Sequence, residues 1–281
     1  MKPAAPLADL ARVVKSALAE DLGEAGDVTT DAVVPVDSRM KAVIRSRDSG
    51  RIAGTDAIAL VLAHWQGAAD ARIEARDGSD VAAGDVVATL EGSARALLSG
   101  ERVMLNLLGR LSGIATATAA VVRAVEGTGA AVKDTRKTTP GLRALEKHAV
   151  AVGGGVNHRF GLYDAVLVKD NHIGVAGSIA AAVDRVRSRW DRRYPIQVEV
   201  DTLAQLEEAL ACRVDAVLLD NMTPEQLRCA VAIAGKRCHL EASGGITLAN
   251  VRAVAETGVD SISLGWLTHS ARSLDLGLDV A

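Results

Sequence analysis

Positively charged side chains are concentrated in residues 133–169, although the whole chain of 281 residues has a formal net charge of −3. This segment contains seven Lys or Arg residues and three acids, a local surplus of four positive charges (7 − 3). Lys and Arg are usually solvated surface charges. Guanidinium forks, however, suit carboxylates and phosphates, which ammonium groups bind as compact charges. The cluster therefore predicts a site for a ligand with several such anionic groups, built from Arg136, Lys137, His158, Arg159 and Lys169.

Acidic side chains at the ends of later β-rich runs oppose this cluster. They are Glu199, Asp201 and Asp220. Carboxylates beside a cationic site bind sugar hydroxyls or Mg²⁺, or stabilise a developing positive charge. We expect that role for Glu199 and Asp220, and a structural salt bridge for Asp201.

Two glycine loops near the C-terminus are candidates for phosphate binding. Ser243-Gly244-Gly245 follows one β-rich run, and Gly265 follows the next. Backbone N–H groups at such loops point at an anion, and the missing Cβ allows close approach. A plain tight turn is the alternative, but two such loops after successive strands favour a phosphate site.

Other chemistries have weaker support in the sequence. A dinucleotide-binding G-x-G-x-x-G is disfavoured, because Gly153–Gly155 follows a helical segment and His158 stands where the last glycine belongs. The histidines show no H-E-x-x-H spacing, which disfavours a metal site formed by His148, His158, His172 and His269. We interpret the triple glycine as a flexible loop that delivers His158 and Arg159.

Alternating β-rich and helical segments must position these residues. Six β-rich runs occur from residue 129 onward, and most of them are followed by a helical segment, which implies parallel strands with right-handed crossovers. In a barrel the carboxyl ends of all strands converge on one mouth, whereas in an open sheet only the switch point is usable. Polar residues after all six runs favour a barrel; the runs are AAVKDT, DAVLVKDN, IQVEVD, DAVLLDN, CHLEASGG and DSISLG.

The N-terminal part has a different pattern. Apolar spacing predicts a helix over residues 7–22, residues 40–92 contain short strands around one helix, and residues 93–125 are helical. Glycines at positions 100, 109 and 113 are expected to break these helices or to allow close packing. The fold class is therefore α/β: an N-terminal α+β sandwich domain over residues 1–112, whose helical tail could pack on a partner chain, and an incomplete, TIM-like α/β barrel over residues 113–281.

Composition limits the class of protein further. Hydrophobic residues make up 49% of the chain and charged residues 24%, as in ordinary globular proteins. Few aromatic rings and a net charge near zero argue against nucleic-acid binding. No apolar run approaches the length of about 18 residues that a membrane span needs, and no signal peptide is evident. Three cysteines without a C-x-x-C spacing suggest buried free thiols and a cytoplasmic location.

Long ordered blocks across almost the whole chain resemble the quinolinate phosphoribosyltransferase family, the carboxylating nicotinate-nucleotide pyrophosphorylases. We noticed no departure at a position that the family uses for chemistry. The blocks are Glu20-Asp21-Leu22-Gly23, Asp134-Thr135-Arg136-Lys137-Thr138, Pro140-Gly141-Leu142-Arg143, Lys147, Gly153 to Gly155, His158-Arg159, Leu167 to His172, Leu219 to Met222, Glu241 to Ile246 and Gly265 to Ser270.

The resemblance implies an activity: transfer of phosphoribosyl from phosphoribosyl pyrophosphate to the ring nitrogen of quinolinate, giving nicotinate mononucleotide, pyrophosphate and CO₂ in de novo NAD synthesis. It implies a homodimer or higher homo-oligomer and Mg²⁺ held through pyrophosphate by undetermined protein ligands. The implied quinolinate site is Arg136, His158, Arg159 and Lys169, with Arg102 supplied across the dimer interface. The implied phosphoribosyl pyrophosphate site is Lys137, Glu199, Asp220, Ser243, Gly244, Gly245, Gly265 and His269, of which Lys137, Glu199 and Asp220 are catalytic.

Three alternatives stay open from the residues. A related enzyme of the same fold would act on another ring acid, such as nicotinate. A Schiff-base lyase would use Lys169 as a nucleophilic amine. A non-catalytic phosphosugar-binding barrel would bind through the same cations without turnover.

Overall fold

The computed structural model describes residues 6–281, which divide into two compact units. The first unit comprises the chain up to Ala119 together with Thr138–Gly154 and Trp266–Ala281; the second comprises Ala120–Lys137 and Gly155–Gly265. The predicted boundary between residues 112 and 113 concerns sequence domains and stays a prediction.

The N-terminal part combines short antiparallel strands with helices. Apolar spacing predicts the first helix correctly, because Leu10, Val14 and Leu18 form its buried face. The elements are α1 (Leu7–Leu22), α2 (Val28–Val33), β1 (Arg39–Ser46), β2 (Gly50–Arg51), α3 (Asp56–Leu62) with a 3₁₀ turn (Ala63–Trp65), β3 (Ala69–Ile73), β4 (Asp80–Val81), β5 (Val86–Ser93) and α4 (Ala94–Ala124).

The remaining chain alternates strands and helices, and all six predicted β-rich runs contain a strand. The elements are β6 (Ala131–Lys133), α5 (Arg143–Val152), β7 (Val166–Val168), α6 (Asp170–Ala176), α7 (Ile179–Trp190), β8 (Ile196–Val200), α8 (Leu203–Ala211), β9 (Ala216–Asp220), α9 (Pro224–Ala234), β10 (His239–Ser243), α10 (Val251–Ala255), β11 (Ser261–Ser263), α11 (Trp266–His269) and β12 (Leu276–Val280).

The first unit contains a four-stranded antiparallel sheet in the order β12-β1-β5-β3. Its edge strand β12 comes from the C-terminus and pairs with β1, so the end of the chain completes the N-terminal sheet. The second unit contains a six-stranded parallel sheet in the order β6-β11-β10-β9-β8-β7. Since β6 and β7 are both edge strands of this sheet, the barrel is incomplete, and the expected fold class is confirmed.

Helix α4 is continuous over 31 residues and is not broken at its glycines. A Cβ on Gly109 would lie 2.9 Å from the carbonyl oxygen of Leu274, and a Cβ on Gly113 would overlap that of Arg272. These glycines therefore serve close packing, which is one of the two expected roles.

The length and composition of α4 also differ from one expectation. Within residues 6–281 it is the one helix that could cross a membrane by these criteria, with a mean hydropathy of 1.4, although no apolar run was expected to be long enough. Because 61% of its apolar window is buried inside the chain, packing in the core accounts for this composition.

Side-chain caps begin several helices of the second unit. The Thr202 hydroxyl oxygen accepts a hydrogen bond from the Gln205 N–H, and the Thr202 N–H donates one to Gln205 Oε1. Thr223 and Gln226 repeat this capping box at α9, with Pro224 at the first helical position. Such boxes satisfy N–H groups that the helix itself leaves unpaired. They place the start of each helix directly after a strand end.

The cysteines correct another expectation. Cys229 is exposed, and Cys212 and Cys238 are half-buried, so the prediction of buried thiols is wrong. All three are free thiols.

A half-buried, hydrogen-bonded carboxylate in the first unit predicts acid sensitivity. Asp77 accepts hydrogen bonds from the N–H groups of Gly54 and Thr55 and lies 3.3 Å from His148 Nε2. Burial alone would raise the pKa of Asp77, but the hydrogen bonds from His148, Gly54 and Thr55 outweigh it and lower the pKa from 3.8 to about 2. The folded state thus binds this proton less readily than the unfolded state, so the stabilisation exists above the ordinary pKa.

We expect this contribution, about 2 kcal/mol, to be lost as pH falls from about 4 towards 2. The free energy of unfolding, measured in urea across this range, should fall more steeply in the native chain than in Asp77→Asn. Equal slopes for the two proteins would contradict the assignment.

Candidate active site

Alternation along the parallel strands places a set of polar side chains on the inner face of the second unit. Side chains two residues apart in a strand point to the same side. Gln197 and Glu199 share that side on β8, and His239, Glu241 and Ser243 share it on β10. The same period places Asp220 at the end of β9 and Lys169 directly after β7 on this face.

Most of these side chains, though not Gln197 and His239, line one cavity of about 470 Å³ at the carboxyl ends of the strands. It brings together eight of the residues that the sequence predicts for the site, and it adds five more. The predicted residues are Arg136, Lys137, His158, Arg159, Lys169, Glu199, Asp220 and Ser243; the added ones are Thr135, Leu167, Leu218, Glu241 and Ser263.

The cationic side of the cavity contains two neighbouring guanidinium groups. Arg159 donates from Nη1 to the Ala165 carbonyl oxygen at 3.0 Å, whereas its buried Nε has no hydrogen-bond partner within residues 6–281. Burial and then the positive charge of Arg136 lower the pKa of Arg159. An anion bound at this place would reduce the repulsion between the two guanidinium groups. The arrangement suits a carboxylate or a phosphate.

The opposite side of the cavity contains two carboxylates, one of which pairs with Lys169 of the cationic side. Lys169 Nζ lies 2.8 Å from Glu199 Oε2. Burial and then the charge of Glu199 raise the pKa of Asp220, an effect that Lys169 partly offsets. Two acids that repel each other stabilise a positive charge placed between them. This side therefore suits a cationic group or a metal bound to a phosphorylated ligand.

Asp201 differs from these acids. It is exposed, its N–H donates to Gln205 Oε1 at 2.9 Å, and its carboxylate forms no ion pair in the part of the chain that the structure describes. The expected structural salt bridge is therefore wrong, because the capping box of α8 turns the chain towards solvent at this point.

The loop after β10 has the backbone that a phosphate cradle needs. Gly244 and Gly245 both have positive φ angles, +88° and +61°, which side chains with a Cβ rarely adopt. A Cβ on Gly244 would overlap Oδ1 of Asn221, which itself has a φ of +54°. Ser243 ends β10 and lines the cavity, and Gly265 lies two residues beyond β11. Both glycine loops thus follow neighbouring parallel strands, as predicted.

Two predicted site residues belong to the first unit. Arg102 lies on α4 with its side chain 64% exposed, and its Nη2 is 3.9 Å from Glu101 Oε1. His269 ends α11, and its Nδ1 lies 2.6 Å from the hydroxyl oxygen of Ser270. Their roles stay predictions.

Glu241 lies in a β-rich run whose end the sequence places at the barrel mouth, but the sequence interpretation gave this residue no role in the site. Its side chain is fully buried beneath the cavity and contacts Lys133, His158 and Gln197. The available signal was a charged residue two positions before Ser243, in a run that otherwise predicts a buried strand. The period of two would have placed both residues on the same face.

Metal ligands are few. Within residues 6–281 no group of three or more His, Cys, Asp or Glu side chains could hold a metal ion.

Comparisons with known proteins extend over nearly the entire chain. Residues 27–112 match the family model "Quinolinate phosphoribosyl transferase, N-terminal domain", and residues 114–279 match "Quinolinate phosphoribosyl transferase, C-terminal domain". The nicotinate-nucleotide pyrophosphorylase [carboxylating] of Mycobacterium leprae is 46% identical over 278 residues, which are 97% of this chain and 98% of the relative. A probable enzyme of the same name from Bacillus subtilis is 45% identical, covering 93% and 90% of the two chains.

Solved structures agree in fold. The crystal structure of nicotinate-nucleotide pyrophosphorylase from Ehrlichia chaffeensis matches with a TM-score of 0.94 at 38% identity, covering 100% of both chains. That of the enzyme from Francisella tularensis matches with a TM-score of 0.93 at 36% identity, covering 100% of this chain and 99% of the other.

Proposed function

The chain belongs to the quinolinate phosphoribosyl transferase family and is a phosphoribosyltransferase of de novo NAD synthesis, and we propose that the 470 Å³ cavity is its active site. The reaction transfers phosphoribosyl from phosphoribosyl pyrophosphate to quinolinate and yields nicotinate mononucleotide, pyrophosphate and CO₂. One observation carries the proposal: four cations and three acids from separate segments of the second unit line the same cavity.

Quinolinate has two carboxylates on one ring, which the cationic side of the cavity matches. Arg136, Arg159 and Lys169 provide positive charge, and the lowered pKa of Arg159 reflects a site that is unfavourable until an anion arrives. Guanidinium groups fix the orientation of a carboxylate through paired hydrogen bonds. We therefore assign quinolinate to this side, with its ring nitrogen directed towards the acids.

Phosphoribosyl pyrophosphate fits the opposite side. The Ser243–Gly245 loop and Gly265 offer backbone N–H groups to the 5-phosphate, and Lys137 offers an ammonium group to the pyrophosphate. As the C–O bond to pyrophosphate breaks, the ribose ring gains positive charge. Glu199 and Asp220 stabilise that charge and hence the transition state.

The ring nitrogen then bonds to the ribose carbon and becomes quaternary. The neighbouring carboxylate leaves as CO₂, its bonding electron pair stays on the ring carbon, and a proton replaces it there. The positively charged nitrogen stabilises this electron pair, so the decarboxylation needs no organic cofactor.

Mg²⁺ is a further part of the proposal. Glu199 and Asp220 are close enough for the charge of one to raise the pKa of the other, and Mg²⁺ typically binds one or two carboxylates together with substrate phosphates. These two residues would hold the ion, which would neutralise charge on the departing pyrophosphate.

The ion pair of Lys169 argues against the Schiff-base alternative. A nucleophilic lysine must be neutral, whereas a carboxylate 2.8 Å from Nζ favours the charged ammonium. Borohydride trapping with a carbonyl substrate should therefore label no lysine.

The decisive assay mixes the protein with quinolinate, phosphoribosyl pyrophosphate and Mg²⁺ and measures nicotinate mononucleotide. Absence of product with folded protein would overturn the proposal and leave the non-catalytic sugar-phosphate barrel. The remaining alternative is a related enzyme that acts on another ring acid, such as nicotinate. A competition assay between quinolinate and nicotinate distinguishes the two, since only quinolinate uses a second carboxylate site.

We also propose a homodimer, or a multiple of it, in which Arg102 completes the quinolinate site of a partner chain. The residue is exposed, and Glu101 lies at the outer limit for an ion pair, so its charge is available to a ligand. In Arg102→Ala we expect the quinolinate KM to rise by about 10-fold or more, the effect of losing one charge-assisted hydrogen bond. Mixed dimers with Asp220→Asn should regain activity, because one of the two sites then has all its residues. Failure of this complementation would place the arginine within its own site.

The domain boundary at residues 112 and 113 and a cytoplasmic location are part of this proposal. The location is supported by the three free thiols, which are typical of a reducing compartment.

A further inference from the structure

A buried charged network lies beneath the cavity. Glu241 is fully buried, and its Oε2 accepts hydrogen bonds from Lys133 Nζ at 2.9 Å and from Gln197 Nε2 at 3.3 Å. Lys133 Nζ also lies 3.3 Å from His239 Nε2, which is 2.7 Å from the hydroxyl oxygen of Ser261. The interior of an α/β barrel is usually filled with apolar side chains, and buried charges rarely stabilise a fold more than apolar residues would. The network therefore calls for a functional explanation.

His158 connects this network to the cavity. Its Nε2 lies 3.1 Å from Gln197 Oε1 and 3.3 Å from Glu241 Oε1, both acceptors. Its Nδ1 accepts a hydrogen bond from the Arg159 N–H at 2.8 Å and so carries no hydrogen. The ring is therefore the tautomer with hydrogen on Nε2, and protein groups occupy both nitrogens.

The charge state of Glu241 supports this arrangement. Burial by itself would raise the pKa of Glu241, but the nearby His158 Nε2–H and the charge of Lys133 outweigh it and lower the pKa to about 2. The residue is thus a carboxylate throughout the physiological range. Its Oε2 accepts hydrogen bonds from Lys133 and Gln197, while Oε1 lies 3.3 Å from His158 Nε2 and accepts no hydrogen bond within residues 6–281. Only such a group presents one acceptor oxygen to Lys133 and another to the His158 Nε2–H.

The backbone on the other side of His158 is also held. The His158 N–H donates to Asp134 Oδ1 at 2.8 Å, and Asn157 Nδ2 donates to Asp134 Oδ2 at 2.6 Å. Asp134 is fully buried and follows β6 directly. Residues 157–159 are therefore held at two places: Glu241 contacts the His158 ring, and Asp134 accepts hydrogen bonds from the His158 N–H and the Asn157 side chain.

We propose that Glu241 is a positioning residue for quinolinate binding. It favours the His158 tautomer with hydrogen on Nε2, and His158 in turn fixes the position of Arg159. This inference rests on the proposed function, because quinolinate is the ligand that Arg159 would bind. It changes the expected role of His158, whose ring nitrogens orient Arg159 and do not bind a substrate carboxylate. An amide at position 241 has a single acceptor oxygen, so it cannot serve both Lys133 and His158.

The first test separates the two substrates. Glu241→Gln should raise the quinolinate KM by about 10-fold or more, while the KM for phosphoribosyl pyrophosphate changes by less than about 3-fold. In a His158→Asn background the same substitution should change the quinolinate KM by less than about 2-fold, since Glu241 acts through that ring. Equal changes in both KM values, or additive effects of the two substitutions, would overturn the proposal.

A matched variant separates positioning from folding. Lys133→Met/Glu241→Gln removes both buried charges, so no unpaired ammonium is left to unfold the barrel. We expect this variant to fold and still to show the raised quinolinate KM. A native KM in this variant would show that the carboxylate serves only to neutralise Lys133.

The second test does not depend on turnover. Nitrogen-15 NMR of labelled protein, with the His158 signals identified by their loss in His158→Asn, should show Nε2 protonated and Nδ1 unprotonated in the native chain. Glu241→Gln should abolish that pattern. If the native chain shows this pattern but makes no product, the proposed function fails, while the positioning of His158 by Glu241 is still supported. If the native chain has its hydrogen on Nδ1, the positioning role of Glu241 is overturned, whatever the activity.

Discussion

Asp220→Asn is expected to lower kcat by a factor of roughly 10²–10³, the usual cost of removing one group that stabilises transition-state charge. The asparagine keeps the shape of the side chain and removes the negative charge that faces the ribose. Because that charge matters most when the bond to pyrophosphate breaks, the KM for phosphoribosyl pyrophosphate should change much less than kcat. Steady-state kinetics at saturating Mg²⁺ measures both constants.

Asp201→Asn is the matched control. It removes the same charge one strand away, from an exposed residue that does not line the cavity. Its kcat should stay within about 2-fold of the native value, as for most exposed positions. If the two variants lose activity equally, the effect is one of overall charge, and Asp220 has no direct part in the reaction.

The pH profile gives a second measure of the same residue. Burial and the charge of Glu199 raise the pKa of Asp220, so its carboxylate is protonated at a higher pH than an ordinary aspartate. The acid limb of kcat/KM should therefore lie above the ordinary range of about 4, and Asp220→Asn should lack it.

Arg159→Ala is expected to raise the quinolinate KM by about 10²-fold or more, since truncating one partner of a buried charge-assisted contact costs roughly 2–5 kcal/mol. The KM for phosphoribosyl pyrophosphate should change little, because the cationic side of the cavity binds the ring acid. Arg159→Lys should recover only part of the loss, since an ammonium group lacks the paired hydrogen bonds of a guanidinium.

Arg228→Ala serves as the control for lost positive charge. Arg228 is exposed on α9, where it pairs with Glu225 and does not line the cavity. Native constants are expected for it. If Arg159→Ala left the quinolinate KM unchanged, quinolinate would not bind on this side of the cavity. The assignment of the two substrates to the two sides would then have to be reversed.

Much of the fold was predictable because hydrophobic periodicity and the turn residues between elements are local properties of the chain. The apolar spacing of residues 7–22 predicts α1 to its ends, and the β-rich runs predict β6 to β11. The polar residue that follows each run also marks the end of its strand. Parallel order then brings these ends to one mouth without any knowledge of side-chain contacts.

Other elements depend on distant partners and were missed. Strand β12 has residues that also suit a loop, and it becomes a strand only because β1 offers an unpaired edge. Similarly, the glycines of α4 could have broken a helix. They lie within one because residues 272–274 approach its backbone there.

The contacts beneath the cavity of the second unit also depend on residues that are distant in the sequence. Lys133, His158 and Glu241 are separated by 25 to 108 positions in the chain, and no local pattern relates them. Their hydrogen bonds exist because β6 and β10 are both one strand away from β11, in a sheet whose inner face they share. Sequence spacing therefore could not reveal that both nitrogens of His158 are occupied.

The sequence by itself determined the order of strands and helices, the family, and the chemical types of the residues at each strand end. Those properties follow from local periodicity and from ordered blocks of residues. Only the tertiary structure decided which of these residues share a cavity, that Asp201 faces solvent, and that Glu241 lies beneath His158. The physical reason is that burial and charge coupling depend on distances through space, which the folded sheet sets and the linear chain does not.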